Sequence, residues 1–105
     1  MKLQQLKKIV KKWQDKLNLR SWHIQTKWAS KTKVLKEGMQ DCDAWVQYDE
    51  NMLEATIWVT RTPLTPWEEL MIHELLHLHL WPIEDKVRQE QAVEAIVKVL
   101  KPKPK

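Results

Sequence analysis

The spacing of apolar residues changes twice along this chain, and those changes constrain its fold more than any other feature. Residues 3–18 carry apolar side chains three and four positions apart, which indicates an amphipathic helix. Between residues 22 and 28 the interval shortens to two, the period of a half-buried strand. The longer intervals return after residue 65. The pattern therefore predicts an α+β fold with an N-terminal helix, a sheet and further helices.

Two more strands are predicted, within residues 43–48 and 54–60, with a turn between them. Such a short connection favours antiparallel neighbours. Residues 29–42 are polar and include Gly38, the one glycine of the chain, so they are expected to form a loop or a loose hairpin. We therefore expect a small antiparallel or mixed three-stranded sheet.

Residues 65–68, Thr-Pro-Trp-Glu, are typical of a helix start. Thr65 can cap the helix, a proline suits its first position, and Glu68 would complete a capping box. The helix should end near Leu80, because Pro82 disfavours helical geometry in the residue before it. A last helix is predicted over residues 85–100.

The size and composition of the chain indicate one soluble domain. Its 105 residues fit a single domain over residues 1–100, followed by a flexible Lys-Pro tail at 101–105. With one cysteine, no intrachain disulfide can form, which suits the cytoplasm. No signal peptide or membrane span is recognisable. The net charge of +4 comes largely from lysines on the first helix and the tail, where a solvated helix face explains them better than a nucleic-acid site.

Within the predicted helix after residue 65 lies the pattern H-E-x-x-H, formed by His73, Glu74 and His77. Residues four apart lie on one helix face, so both imidazoles can reach one ion. Imidazole nitrogen is a good ligand for zinc. Glu74 points partly aside, so we expect it to act as the catalytic base toward a water molecule at the ion rather than as a ligand.

Helix geometry suggests a third ligand. With a rise of about 1.5 Å per residue, the ion would lie roughly 7–8 Å before the end of the first helix, and Glu90 on a returning helix reaches the same level. Glu94 overshoots to about 13 Å. We therefore predict Glu90 as the ligand and Glu94 as the residue that orients an imidazole, with Glu94 the less favoured ligand. Without the histidines, both would be read as surface glutamates.

This combination resembles the gluzincin metallopeptidases, in which H-E-x-x-H is followed by a glutamate ligand on a second helix and an acidic residue four positions later. Residues 90–94, Glu-Gln-Ala-Val-Glu, have that spacing. The length and element order are similar to those of the minigluzincins and related small phage-type metallopeptidases. The resemblance implies a zinc-dependent peptide hydrolase with one Zn²⁺ ion and a peptide or protein substrate.

The chain also departs from the larger gluzincins. Only 12 residues separate His77 from Glu90, which leaves no room for a second subdomain that closes the cleft, and Glu94 stands where an aspartate is usual. The transition-state stabiliser is open. Tyr48 and His79 are the titratable candidates, although His79 lies about 200° around the helix from His77 and should face away from the ion.

Other schemes fit less well. A third histidine six residues after the second would fall at position 83, which is Ile83. Cys42 could serve as a ligand in the manner of peptide deformylases, or block the ion as a latency switch, but its surroundings lack the glycine-cysteine context of that family. A bystander thiol is the simpler interpretation of Cys42.

The strand over residues 54–60 directly precedes the motif helix. If it lies at an edge beside the cleft, its backbone could pair with an extended substrate peptide, with Ala55, Ile57 and Val59 as the substrate-binding residues. The simpler interpretation is an ordinary strand whose three apolar side chains face the core. The two interpretations are compatible, because the backbone of the strand would bind the substrate while its side chains pack in the core.

Two alternatives to a peptidase remain. The domain could fold around zinc and stay latent or structural, with the Lys-Pro tail or a second copy in a homodimer lying across the site. It could also be a basic interaction module in which H-E-x-x-H is coincidental. Zinc content separates the last alternative from the others.

Overall fold

The computed structural model describes residues 2–39, 42–60 and 65–100. Along the chain the elements are α1 (Leu3–Lys16), β1 (His23–Trp28), α2 (Lys31–Lys36), β2 (Ala44–Asp49), β3 (Glu54–Val59), α3 (Trp67–Leu80) and α4 (Lys86–Leu100). The α+β class is confirmed, with an N-terminal helix, a three-stranded sheet and two C-terminal helices. None of the described helices is both long and apolar enough to cross a lipid bilayer. The tail at 101–105 lies outside the described residues.

The sheet is mixed and has the order β1-β3-β2. β3 is parallel to β1 and antiparallel to β2, so the short β2–β3 turn gives the antiparallel pair that its length predicts. In that turn Asp49 Oδ1 accepts hydrogen bonds from the backbone N–H groups of Asn51 and Met52.

The prediction that residues 54–60 form an edge strand is wrong. β3 has hydrogen-bonded neighbours on both sides, so its backbone has no free edge for a substrate. Ala55, Ile57 and Val59 are 5%, 0% and 0% exposed and belong to the core, as the simpler interpretation has it. Burial of these side chains in the middle of the sheet is the physical reason that β3 takes the central place.

α3 is the centre of the molecule and contacts α1, α4 and β2. Seven of its 14 residues are buried, on most sides of the helix. α1 covers one side with Leu6, Val10 and Trp13, and α4 covers another with Val93 and Val97. Because α3 packs against three elements, the backbone that carries its solvent-facing side chains is well fixed.

The segment expected to be a loop contains α2. The Ser30 hydroxyl accepts a hydrogen bond from Lys33 N at 3.1 Å and caps this helix, and Gly38 follows its end with a φ of +67°. α2 has no buried residue, and its Lys33 Nζ lies 4.4 Å from the centre of the Trp58 ring. A six-residue helix without an apolar stripe gives no periodic signal, which is why the prediction missed it.

Thr65 and Glu68 lie at the start of α3 as predicted, but they bind side chains of other segments instead of capping the helix. Thr65 N and Oγ1 both donate to Asp43 Oδ2 at 3.0 Å, and Glu68 Oε1 accepts from Lys12 Nζ at 2.8 Å and from Trp13 Nε1 at 2.6 Å. No side-chain cap bond is formed. The capping-box prediction is therefore wrong, because partners on other elements bind the same groups and tie α3 to α1 and to the segment before β2.

Candidate metal centre

His73 and His77 lie side by side on the face of α3 that turns toward α4. Their ring centroids are 5.1 Å apart with an interplanar angle of 62°, and their side chains are 26% and 13% exposed. The four-residue spacing thus brings both imidazoles to one place, with a limited opening to solvent.

α4 brings Glu90 between the two rings. Glu90 Oε1 lies 2.8 Å from His77 Nε2, and Oε2 lies 3.3 Å from His73 Nε2. Ligand atoms around a tetrahedral zinc ion with bonds of about 2.0–2.1 Å are about 3.3 Å apart. Each imidazole nitrogen therefore lies close to a different oxygen of Glu90, at nearly the distance that separates two ligands of one zinc ion.

Glu74 lies beside this group and is almost fully buried, at 4% exposure. Burial raises the pKa of its carboxyl well above 4.5, and the negative charge of Glu90 raises it further. The ligand atoms of His73, Glu74 and His77 lie within 4.8 Å of one another, so among the described residues this group, which does not include Glu90, is within reach of one metal ion.

The pKa of His73 is lowered from its ordinary 6.5. Burial of the imidazole is the main cause, and the positive charge that His77 can carry acts in the same direction. The charges of Glu90 and Glu94 and a hydrogen bond to Glu90 oppose the shift without reversing it. The net effect favours the neutral imidazole, which is the form that binds metals.

Gln89 orients His77, and the sequence prediction missed it. Gln89 Nε2 donates to the carbonyl oxygens of Leu80 and Ile83, both at 3.1 Å, so its Oε1 faces His77 Nδ1 at 2.7 Å. That oxygen can only accept, so Nδ1 carries a proton and a neutral His77 presents the Nε2 lone pair toward Glu90. The one signal in the sequence is an amide directly before the predicted ligand, which is weak.

Glu94 does not form the orienting hydrogen bond predicted for it. Within the described ranges it contacts neither imidazole by a hydrogen bond, and its charge acts on His73 through space. Gln89 on the preceding turn supplies the orienting contact instead.

The centre opens into a cleft of about 1240 Å³ between β2 on one side and α3 with α4 on the other. In the described part of the sheet, β2 pairs with β3 alone, so β2 is the strand whose outer edge is free beside the cleft. Ala44, Val46 and Tyr48 line the cleft, and their partners on β3 are the core residues Val59, Ile57 and Ala55.

The remaining candidates occupy three different places. Tyr48 lines the cleft and packs edge to face on Trp22, with ring centroids 6.4 Å apart. His79 faces away, as predicted, with its Nε2 in contact with the Leu17 carbonyl at the end of α1. Cys42 is an exposed thiol on the cleft wall, 3.8 Å from Met39 Sδ, and is not in the group of described residues within reach of one ion. Tyr48 is thus the one of the two stabiliser candidates that lines the cleft.

Comparison with known proteins adds no family to this geometry. The chain matches no protein-family model, no curated protein and no solved structure. The resemblance to gluzincins therefore stays a prediction, and function has to be inferred from the site itself.

Proposed function

We propose that this protein is a zinc-dependent peptide hydrolase in which His73, His77 and Glu90 hold one Zn²⁺ ion and Glu74 is the general base. The observation that carries this proposal is the position of the Glu90 carboxylate, 2.8 Å and 3.3 Å from the two Nε2 atoms. Since Gln89 accepts the proton on His77 Nδ1, a neutral His77 and Glu90 would face each other with lone pairs. A proton or a cation between them removes that repulsion.

The donor set suits zinc. Two imidazole nitrogens and one carboxylate oxygen are a common ligand set of catalytic zinc, which keeps a fourth position open for water or substrate. Calcium and magnesium prefer oxygen ligands throughout, so the two histidines argue against them. The opening of the centre into the cleft supports access for a substrate.

A zinc ion bound there would polarise a peptide carbonyl and make water more acidic. Glu74 accepts the proton of the attacking water on a carboxylate oxygen and then passes it to the nitrogen of the leaving amine. The raised pKa of the buried Glu74 carboxyl favours taking up that proton. Gln89 holds the His77 ring in place throughout.

The free edge of β2 is the place for an extended substrate backbone. It takes over the role that the sequence suggested for β3, because β2 is the edge strand next to the histidines. Backbone hydrogen bonds along such an edge bind peptides with little regard to their sequence, and side-chain contacts in the cleft add selectivity.

The test compares the wild type with Glu74→Gln, and with Glu84→Gln as a matched control from the same cleft. Metal content is measured by mass spectrometry and hydrolysis with a mixed peptide library. We expect one zinc per chain in all three proteins, and a loss of hydrolysis of at least about 100-fold in Glu74→Gln alone. Equal turnover in Glu74→Gln would refute the role of Glu74, and absence of zinc would refute the centre.

A structural zinc site is the second candidate. The three proposed ligands come from two neighbouring helices, so an ion there would join α3 to α4. The same experiment separates the two functions. Stoichiometric zinc with no hydrolysis of any library peptide by the wild type would favour the structural role.

A further inference from the structure

The cleft is acidic although the chain is basic. Among the described residues, six carboxyl groups and two ammonium groups line it, while the whole chain carries a net charge of +4. The carboxylates are Asp43, Glu69, Glu74, Glu84, Glu90 and Glu94. With the histidines neutral and a divalent cation at the centre, the described lining groups would carry an excess of two negative charges when Glu74 is ionised and of one when its raised pKa keeps it protonated. A concave surface focuses such a field, so the cleft attracts cations locally.

Two of these carboxylates lie at the same end of the cleft. Glu69 is four residues before His73 on α3, and Glu94 is four residues after Glu90 on α4, which places each about 6 Å along its helix from a proposed ligand. The two helices run in opposite directions, since Gln89 bonds the Leu80 carbonyl while the charge of Glu94 reaches His73. Glu69 and Glu94 therefore lie on the same side of the candidate metal centre.

Neither Glu69 nor Glu94 forms an ion pair with a lysine or arginine of the described residues. Glu69 is half-buried and makes no hydrogen bond or ion pair within the described residues, whereas its neighbour Glu68 binds Lys12 and Trp13. Glu94 is exposed and forms no ion pair with a lysine or arginine there. The buried Glu74 carboxylate, which also lacks a hydrogen-bond partner in the described part, borders the same cleft.

Apolar side chains lie at the same end of the cleft as Glu69 and Glu94. Leu70 follows Glu69, Val97 lies three residues after Glu94, and both line the cleft while being 6% and 5% exposed. An aliphatic stem can pack on such a surface while its charged end reaches a carboxylate. This pairing suits an alkyl chain that ends in a cation.

We infer that Glu69 and Glu94 select substrates that carry a cation, either a lysine or arginine side chain or a free N-terminal amine, close to the scissile bond. This inference rests on the proposed function and adds the substrate class. The offset of about 6 Å equals roughly two residues of extended peptide, so the cation belongs within two positions of the cut.

The test uses pairs of peptides that differ at one position, lysine against norleucine, scanned across three positions on each side of the cut. The readout is the lysine-to-norleucine ratio of kcat/KM for zinc-loaded protein. We expect a ratio of about ten at one position, the effect of roughly 1.4 kcal/mol from a partly desolvated charge pair. Acetylating the N-terminus distinguishes the two sources of the cation, because only a preference for the free amine is lost.

Variants decide which residues are responsible. Glu69→Gln and Glu94→Gln should each lower the ratio toward one, and Glu84→Gln, the control at the other end of the cleft, should keep it. Melting temperature and zinc content are checked for each variant. A wild-type ratio near one at every position, together with no loss of affinity on acetylation, would overturn the inference, as would an unchanged preference in the double variant Glu69→Gln/Glu94→Gln.

A binding measurement keeps this inference separate from the proposed function. The same peptides are titrated into the zinc-loaded Glu74→Gln protein by calorimetry. Hydrolysis and binding without any preference for a cation would overturn the inference and leave the hydrolase standing. If the wild type cuts no peptide, the hydrolase proposal fails, and the binding ratio still decides whether the cleft selects cations.

Discussion

Burial and the Gln89 side chain act on the two imidazoles of the candidate metal centre. Burial lowers the pKa of His73 and favours its neutral form, and Gln89 holds the proton of His77 on Nδ1. Metal ligands must be free of protons at the binding atom. Competition from protons near neutral pH is therefore reduced at His73, and the tautomer needed at His77 is already selected.

At this scale we predict that Gln89→Leu lowers zinc affinity by about 10- to 100-fold, the usual effect of removing a residue that orients a ligating histidine. The variant loses the acceptor for His77 Nδ1 at 2.7 Å. Affinity is measured by competition with a coloured chelator.

Two further variants make that result interpretable. Gln89→Glu keeps an acceptor oxygen for Nδ1 and should retain more affinity than Gln89→Leu. Gln91→Leu changes an exposed glutamine two residues further along α4 and should have no effect. If Gln89→Leu binds zinc as tightly as Gln91→Leu, the contact with His77 does not orient the ring.

At the scale of elements, those with a strong local pattern were predictable. β1 shows the expected alternation, with Thr26 buried between exposed neighbours, and α3 and α4 begin and end within two residues of their predicted bounds. α2 was missed because it is short and has no buried residue. The central position of β3 depends on its parallel pairing with β1, a contact between distant segments that the sequence pattern does not contain.

The candidate site was predictable to the same degree. Rise per residue along two returning helices puts Glu90 level with the histidines, and Glu90 does contact both. The same calculation gives no rotation about the helix axis and no side-chain reach, so it failed for Glu94 and could not identify Gln89. Thr65 and Glu68 show a related limit, because distant partners replaced their local cap bonds.

The bonds of Glu68 to α1 give a prediction about the α1–α3 interface. Its pKa lies below 4.5, first because of the hydrogen bond from Lys12 and then because of that from Trp13. A carboxyl with a lowered folded-state pKa stabilises the fold above its unfolded pKa, and this contribution is lost as pH falls through the folded value. Glu68→Ala should therefore cost about 2 kcal/mol of unfolding free energy at pH 7, and less below pH ~4.

Urea denaturation at pH 7 and pH 3 measures that difference. Glu69→Ala is the control, because it removes the neighbouring carboxylate of the same helical turn and leaves α1 untouched. We expect Glu69→Ala to change stability by no more than about 0.5 kcal/mol. Equal losses in the two variants would mean that the bonds to Lys12 and Trp13 contribute nothing beyond the charge at the helix start.

At the scale of the whole molecule, α4 is the long helix with the fewest buried side chains. Only Val93 and Val97 of α4 are buried, against seven residues of α3 and three of the similarly long α1. α4 nevertheless supplies Glu90, the one proposed ligand that does not come from α3. An ion held by both helices would therefore contribute most to the stability of α4, the helix to which the apolar core contributes least.

We accordingly predict that zinc raises the melting temperature of the metal-free protein. A ligand that binds only the folded state at 100 times its Kd stabilises it by about 2.7 kcal/mol, or roughly 10–20 °C for a domain of this size. His73→Ala should abolish most of the shift. His79→Ala should retain it, because His79 faces the end of α1 and not the cleft.

Hydrogen exchange locates the effect. Zinc should slow the exchange of amides in Lys86–Leu100 more than in Leu3–Lys16, since α4 has fewer apolar contacts of its own. A shift of equal size in His73→Ala would place zinc elsewhere on the protein. No shift in the wild type would mean that H-E-x-x-H is coincidental here, because a cation shared by His73, His77 and Glu90 cannot bind the folded chain without stabilising it.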